Sequence, residues 1–210
     1  MQKTIKNNTS AEIVEKKSKF IANLYYVQSE EEAEEIIKDI KKKYHDARHN
    51  CFAYNILSKD NEIYKSSDDG EPSGTAGAPM LNILKKNELI NVLVIVTRYF
   101  GGILLGTGGL VKAYSQATIE AIEKAEFVHE EVGYEIKLVL DYSELEKLQY
   151  YCKTNNINIS NIEYENKINC IIEMNKQEKE NFINNLNKMN YKIEKYDVIK
   201  EKNIRKNIDK

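Results

Sequence analysis

The chain has 210 residues, 41% hydrophobic and 30% charged, with 31 Lys and Arg against 33 Asp and Glu for a net charge of −2. These values describe a soluble globular chain of one large or two modest domains, with a buried core under a strongly solvated surface. They exclude a globally basic nucleic-acid binder, and no apolar run approaches the ~18 residues that a spanning helix needs.

Residues 11–27 hold two short strand-like stretches separated by Lys16-Lys17-Ser18-Lys19. Ser29 and Glu32 form a capping-box signal, and Ala33, Ile36, Ile37, Ile40 and Tyr44 then repeat at helical spacing. Residues 51–57 alternate as a strand, and Ser58-Lys59-Asp60-Asn61 turns into a second strand over 62–65. A short helix is predicted over 78–86, with Pro79 in its first turn, where the missing N–H costs least. Residues 90–96 are nearly all β-branched or Leu, the pattern of a buried central strand. A helix is then predicted to open at Gly108-Gly109, with Ala113, Ala117, Ala121 and Ala125 as a small-residue stripe for close packing on a sheet.

Gly133 marks a boundary in this reading. Beyond it come a strand over 134–140, a helix capped by Ser143 and Glu146 with Leu145, Leu148 and Cys152 inward, and a hairpin of 157–164 with 167–174. A helix started by Asn175 and Glu178 with Phe182, Ile183, Leu186 and Met189 inward follows, then a strand over 191–199. The order βαββαβ is the split-βαβ, ferredoxin-like unit, expected over 133–200 after a first domain over 1–132. Residues 1–132 carry 17 Lys and Arg against 20 Asp and Glu, and residues 133–210 carry 14 against 13. Basic residues gather at the end, where Lys200, Lys202, Arg205, Lys206 and Lys210 face Glu201 and Asp209, so 201–210 read as a frayed basic tail. Cys51, Cys152 and Cys170 form no CxxC pair, which fits a reducing compartment, and Met1-Gln2-Lys3-Thr4 opens no apolar leader. A cytoplasmic protein without membrane association is expected.

Eight of the nine glycines and both prolines lie between Asp68 and Gly109. The first block runs from Asp68 through Asp69, Gly70, Glu71, Pro72, Ser73, Gly74 and Thr75 to Pro79; the second runs from Thr97 to Tyr114. In the second, a strand, a glycine turn and a helix start bring free backbone N–H groups together, a recipe for an anion site. Arg98, Gly106, Gly108, Gly109 and Lys112 are its candidate residues, with Arg48 and His49 on the same surface. Arg is scarce, three against 28 Lys, so its use suggests a planar fork. The spacing is not that of a Walker loop. Asp68, Asp69, Glu71 and Thr75 are read as organising the loop, with Asp69 or Glu71 salt-bridged to Arg98, rather than as a metal site. His45 and His49 lack the Glu of a zinc HExxH pair, Cys51 is read as a core residue, and His129 as isolated and exposed. No metal and no cofactor are expected.

Both blocks, together with Ala47-Arg48-His49-Asn50-Cys51-Phe52-Ala53-Tyr54, closely resemble the IMPACT/YigZ family. The resemblance implies an α/β (α+β) fold: a ribosomal protein S5 domain 2-like first domain, similar to the fourth domain of elongation factor G, and a second domain resembling that factor's fifth. Eukaryotic relatives are translation regulators that restrain an amino-acid-starvation kinase by competing for its ribosome-associated activator. They usually carry a further N-terminal partner-binding domain, which is not expected here. The leading functional expectation is a non-enzymatic, translation-linked regulator that binds RNA, the ribosome or a ribosome-associated protein through the glycine-loop surface, with no DNA specificity. The alternative is a small-ligand or nucleotide-binding enzyme using Gly106–Gly109. A third possibility is a protein-interaction patch at Tyr99, Phe100, Ile103, Leu104 and Leu105.

Overall fold

The computed structural model describes residues 2–58, 61–186 and 192–207, the side chain of Leu186 excepted. Lys59 and Asp60 of the predicted turn, Met189 and Tyr191, and Asp209 and Lys210 of the tail lie outside the described residues. The chain divides into two compact units, Gln2–His129 and Glu130–Lys206.

The first unit runs β1 (Gln2–Ile5), β2 (Thr9–Glu15), β3 (Ser18–Tyr26), α1 (Glu30–Lys43), β4 (His49–Ser58), β5 (Asn61–Ser67), α2 (Gly77–Lys86), β6 (Val92–Tyr99) and α3 (Gly106–Glu123). Strands β2 to β6 form an antiparallel sheet in the order β2-β3-β6-β4-β5. Central β6 is buried from Val92 to Arg98 because helices cover both of its faces. Val92, Val94 and Val96 join Met80, Leu84, Ala113 and Ala117 of α2 and α3, while Leu93 and Ile95 join Ala33, Ile37 and Ile40 of α1. With no solvated face the strand shows no polar alternation, which is why it reads as a continuous apolar run.

Local signals set the helix ends. The Ser29 hydroxyl accepts the Glu32 N–H at 3.2 Å, and the Glu32 carboxylate accepts the Gln28 N–H at 2.7 Å. Ala113, Ala117 and Ala121 of α3 are buried, and the helix lies on β2 and β3. It begins at Gly106, two residues before the predicted Gly108-Gly109 start.

In the second unit, β7 (Phe127–Leu140) leads into α4 (Tyr142–Thr154), β8 (Asn158–Tyr164), β9 (Ile168–Asn175), α5 (Lys176–Leu186) and β10 (Ile193–Asn207). Strand β8 pairs with β9, β9 with β7 and β7 with β10, the split-βαβ order. The core gathers Ile136, Leu138, Leu148, Cys152, Cys170, Ile172 and Phe182. Asn175 and Glu178 exchange bonds: Asn175 Oδ1 accepts the Glu178 N–H at 2.8 Å, and Glu178 Oε2 accepts the Asn175 N–H at 2.9 Å.

Three expectations need correction. Helix α4 starts at Tyr142 with Asp141 as N-cap, so Ser143 and Glu146 lie within its first turns. His129 is half-buried, with its Nδ1 out of contact with solvent. Residues 201–207 of the basic tail continue β10. Ile204 is 3% exposed there, Lys202 bridges Glu135 and Glu173 at 2.9 and 2.8 Å, and Lys206 reaches Glu178 at 3.0 Å. The carboxylates that neutralise this segment are remote in sequence, so its charges looked unpaired.

Candidate functional site

The loop between β5 and α2 is built around Asp68. Its Oδ1 accepts the N–H groups of Ala76 and Gly77, each at 2.9 Å, and its Oδ2 that of Gly74 at 2.8 Å. The carboxylate thereby supplies α2 with the cap that Ala76 lacks, and it starts the helix at Gly77, one residue earlier than predicted. Burial by itself would raise the Asp68 carboxyl, but the N–H donors of Gly74, Gly77 and Ala76 outweigh it and hold the group below the usual carboxylate range. Asp69 accepts the Asn50 N–H at 2.7 Å and Lys41 Nζ at 2.6 Å. Thr75 donates its hydroxyl to the Pro72 carbonyl at 2.6 Å.

Glu71 lies at the centre of a buried clasp. Its Oε1 accepts Arg98 Nη1 at 2.7 Å and the Tyr114 hydroxyl at 2.8 Å, joining the loop to β6 and α3. Of the two acids considered for Arg98, Glu71 is the one it pairs with. Both side chains are nearly sealed, at 7% and 3% exposure, and the guanidinium lies near the Phe20 and Phe100 rings, 5.5 and 5.6 Å from their centres. The Arg98 Nε–H has no hydrogen-bond partner among the described residues. His49 sits 3.0 Å through Nδ1 from the Asp69 carbonyl and 3.9 Å through Nε2 from Glu71. A carbonyl only accepts, so Nδ1 carries the proton. The Cys51 thiol donates to the Asp68 carbonyl at 2.9 Å and lies 3.4 Å from the Tyr114 hydroxyl. Burial pushes that thiol up to about 12, and burial also raises Tyr114, with Cys51 and Glu71 adding to the shift. A thiol so protonated is a core group and not a nucleophile.

The candidate residues therefore divide. Asp68, Asp69, Glu71, Thr75, His49 and Arg98 are held together inside the clasp. Gly106, Gly108 and Lys112 are exposed at the start of α3, and Gly109 is partly covered by Leu105. Arg48 is exposed and makes none of these contacts. Sequence reasoning placed Arg98 on an anion-binding surface; the structure corrects this, because Phe20, Phe100 and Glu71 enclose it. It also missed Tyr114, which lies within the second block but gave no sign that its hydroxyl reaches Glu71, 43 residues away. Next to the helix start, Phe100, Ile103 and Leu104 are exposed by 52%, 43% and 81%. Tyr99 and Leu105, at the ends of that apolar run, are half-buried. Among the described residues no group of three His, Cys, Asp or Glu side chains is placed to hold a metal ion. No helix among them is long and apolar enough to cross a membrane.

A mixed α/β chain of two units, with a glycine-rich loop clasp in the first and a split-βαβ second, defines the class of protein. Residues 16–122 match the Impact N-terminal domain, and residues 138–189 match a domain of unknown function, DUF1949. The chain belongs to the IMPACT family. It is 41% identical over 165 residues to the IMPACT family member YvyE of Bacillus subtilis (strain 168), covering 79% of this chain and 76% of that protein. To an IMPACT family member of Haemophilus influenzae it is 36% identical over 176 residues, covering 81% and 84%. A crystal structure described as that of an hypothetical protein superposes with a TM-score of 0.63 at 28% identity, covering 95% of this chain and 98% of the other.

Proposed function

We propose that this protein is a cytoplasmic, non-enzymatic regulator linked to translation, which binds the ribosome through the surface formed by the second glycine block. The carrying observation is the division of the site. Acids, thiol and arginine are consumed by internal bonds, while Gly106, Gly108, Lys112, Phe100, Ile103 and Leu104 are left facing solvent. Catalysis needs a titratable group presented to a substrate, and the clasp turns its own inward. A surface of bare backbone, cation and apolar side chains suits binding instead. Family membership supports the translation link, since the eukaryotic proteins that the chain resembles regulate translation. The implied likeness of its two domains to elongation-factor domains supports the ribosome as the place of action. Three free, buried cysteines fit a reducing cytoplasm.

Co-sedimentation with ribosomes across a salt series tests the reading, using Lys112→Ala and Leu104→Asp as surface variants. Association that falls with salt and is weakened in both variants is the expected result. A protein that stays in the supernatant at low salt would refute it.

A further inference from the structure

Two residue choices at one end of the first unit work against its own stability, and nothing in the fold requires either. The β2–β3 register pairs Glu15 with Ser18, so Lys16-Lys17 form a two-residue hairpin loop. Both have positive φ, 46° and 64°, the geometry of a type I′ turn that ordinarily selects Asn-Gly. Two lysines there hold a backbone that their side chains disfavour. The second choice is Gly108, inside α3. Its φ is not positive, and a Cβ built on it would meet nothing within 4 Å. Glycine weakens a helix relative to alanine, so packing and geometry both leave this one unexplained.

These two features lie at the same end of the first unit. Thr9 Oγ1 bonds the Ala121 carbonyl at 2.8 Å, and Tyr114 meets Phe20, the register neighbour of Ile13, at 5.2 Å between ring centres. Thus β2 advances toward its tip as α3 recedes toward its N-terminus. At about 1.5 Å per helical residue and about 3.4 Å per strand residue, the tip reaches the level of Gly108. Gly101 pins the tip there: its N–H bonds Ser18 Oγ at 3.1 Å, and a Cβ on it would lie 2.0 Å from the Lys17 carbonyl carbon. The Phe100 ring, on the residue before Gly101, stands exposed, and so does Leu104 further along the same loop. Lys16, Lys17 and Lys112 make no ion pair with any described residue, the first turn of α3 carries no acid, and Glu15 is the carboxylate adjoining the tip.

We propose that this surface binds single-stranded RNA, with Lys16, Lys17 and Lys112 on its phosphates and a base against Phe100. Uncompensated cations beside an exposed ring are the requirements of such a site, and a bare Gly108 lets the phosphodiester chain approach the helix backbone. The inference rests on the proposed ribosome-linked function and names the chemistry of its contact.

The test is fluorescence anisotropy of a labelled oligouridylate over a salt series, with thermal melting of each variant. Lys16→Asn with Lys17→Gly installs the preferred turn, so the doubly substituted protein should melt higher and yet bind more weakly. Its log-affinity against log-salt slope should be shallower by about 1.4, two phosphates at about 0.7 each. Gly108→Ala should likewise melt higher and bind more weakly, and Phe100→Ala should lose about ten-fold in affinity with its slope unchanged. A parent protein that ignores the oligonucleotide, or a turn variant that binds it as tightly as the parent, overturns the inference. If that same parent still sediments with ribosomes, the ribosome-linked reading stands and the surface takes an acidic protein instead. If it does neither, both readings fail.

Discussion

Glu71 and Arg98 show what a buried charge demands at the scale of one residue. Each is nearly sealed from water, so removing either strips the other of the charge it is bonded to, and Glu71 would keep the Tyr114 hydroxyl but lose the guanidinium. Arg98→Ala should destabilise the protein by about 3–5 kcal/mol in urea unfolding, because an uncompensated buried carboxylate remains. Asp68 makes a prediction about pH. Its folded carboxyl is held below the unfolded value, so its stabilising contribution is fully present above the unfolded value, about 3.9, and fades as pH falls through the lower folded one. Asp68→Asn should cost about 1–2 kcal/mol at neutral pH, as the loss of a helix cap does, and should flatten the acid limb of stability against pH. The cysteines make a third. Burial pushes Cys51 and Cys152 up to about 12 and Cys170 up to about 11, so a thiol-reactive dye at pH 8 should label none of them until the protein is unfolded.

At the scale of elements, two glycines separate backbone contacts from side-chain contacts. A Cβ at Gly101 would strike the Lys17 backbone, which cannot yield without displacing the β2–β3 hairpin. At Gly133 within β7 the Cβ would strike Ile204 of β10 at 2.6 Å, a side chain that can be shortened. Gly133→Ala should therefore cost about 1–3 kcal/mol, part of it recovered when Ile204→Ala is added, whereas Gly101→Ala has no such partner to relieve it. A double-mutant cycle in denaturant measures the difference. Most elements were legible because their signals are local: the Ser29–Glu32 and Asn175–Glu178 caps, the alanine stripe of α3 and the apolar run of β6. Strand β1, the early starts of α2 and α3, and the extension of β10 were not legible. Each depends on partners far along the chain, as α2 does on Asp68.

Across the whole molecule, the cores of Gln2–His129 and Glu130–Lys206 share no residue. Leu138→Ala, a cavity in the second core, should cost about 2–5 kcal/mol there. Two calorimetric transitions are expected, with only one displaced by this substitution; a single transition that shifts as a whole would show that the two cores unfold as one.

The order of elements from β2 onward, the split-βαβ pattern of the second unit and the two glycine blocks were determined by sequence, because hydrophobic period, caps and glycine placement act over a few residues. The resemblance to the IMPACT family rested on the same short segments. Tertiary structure alone decided which charges are available. Arg98 looked like a surface anion ligand and is an internal strut; the terminal lysines looked free and lie on the carboxylates of β7, β9 and α5. Lys16 and Lys17 looked like an ordinary spacer and occupy a turn with positive φ at both residues. Charge is read from a residue's letter, but whether it is neutralised depends on neighbours that the fold brings from tens of residues away.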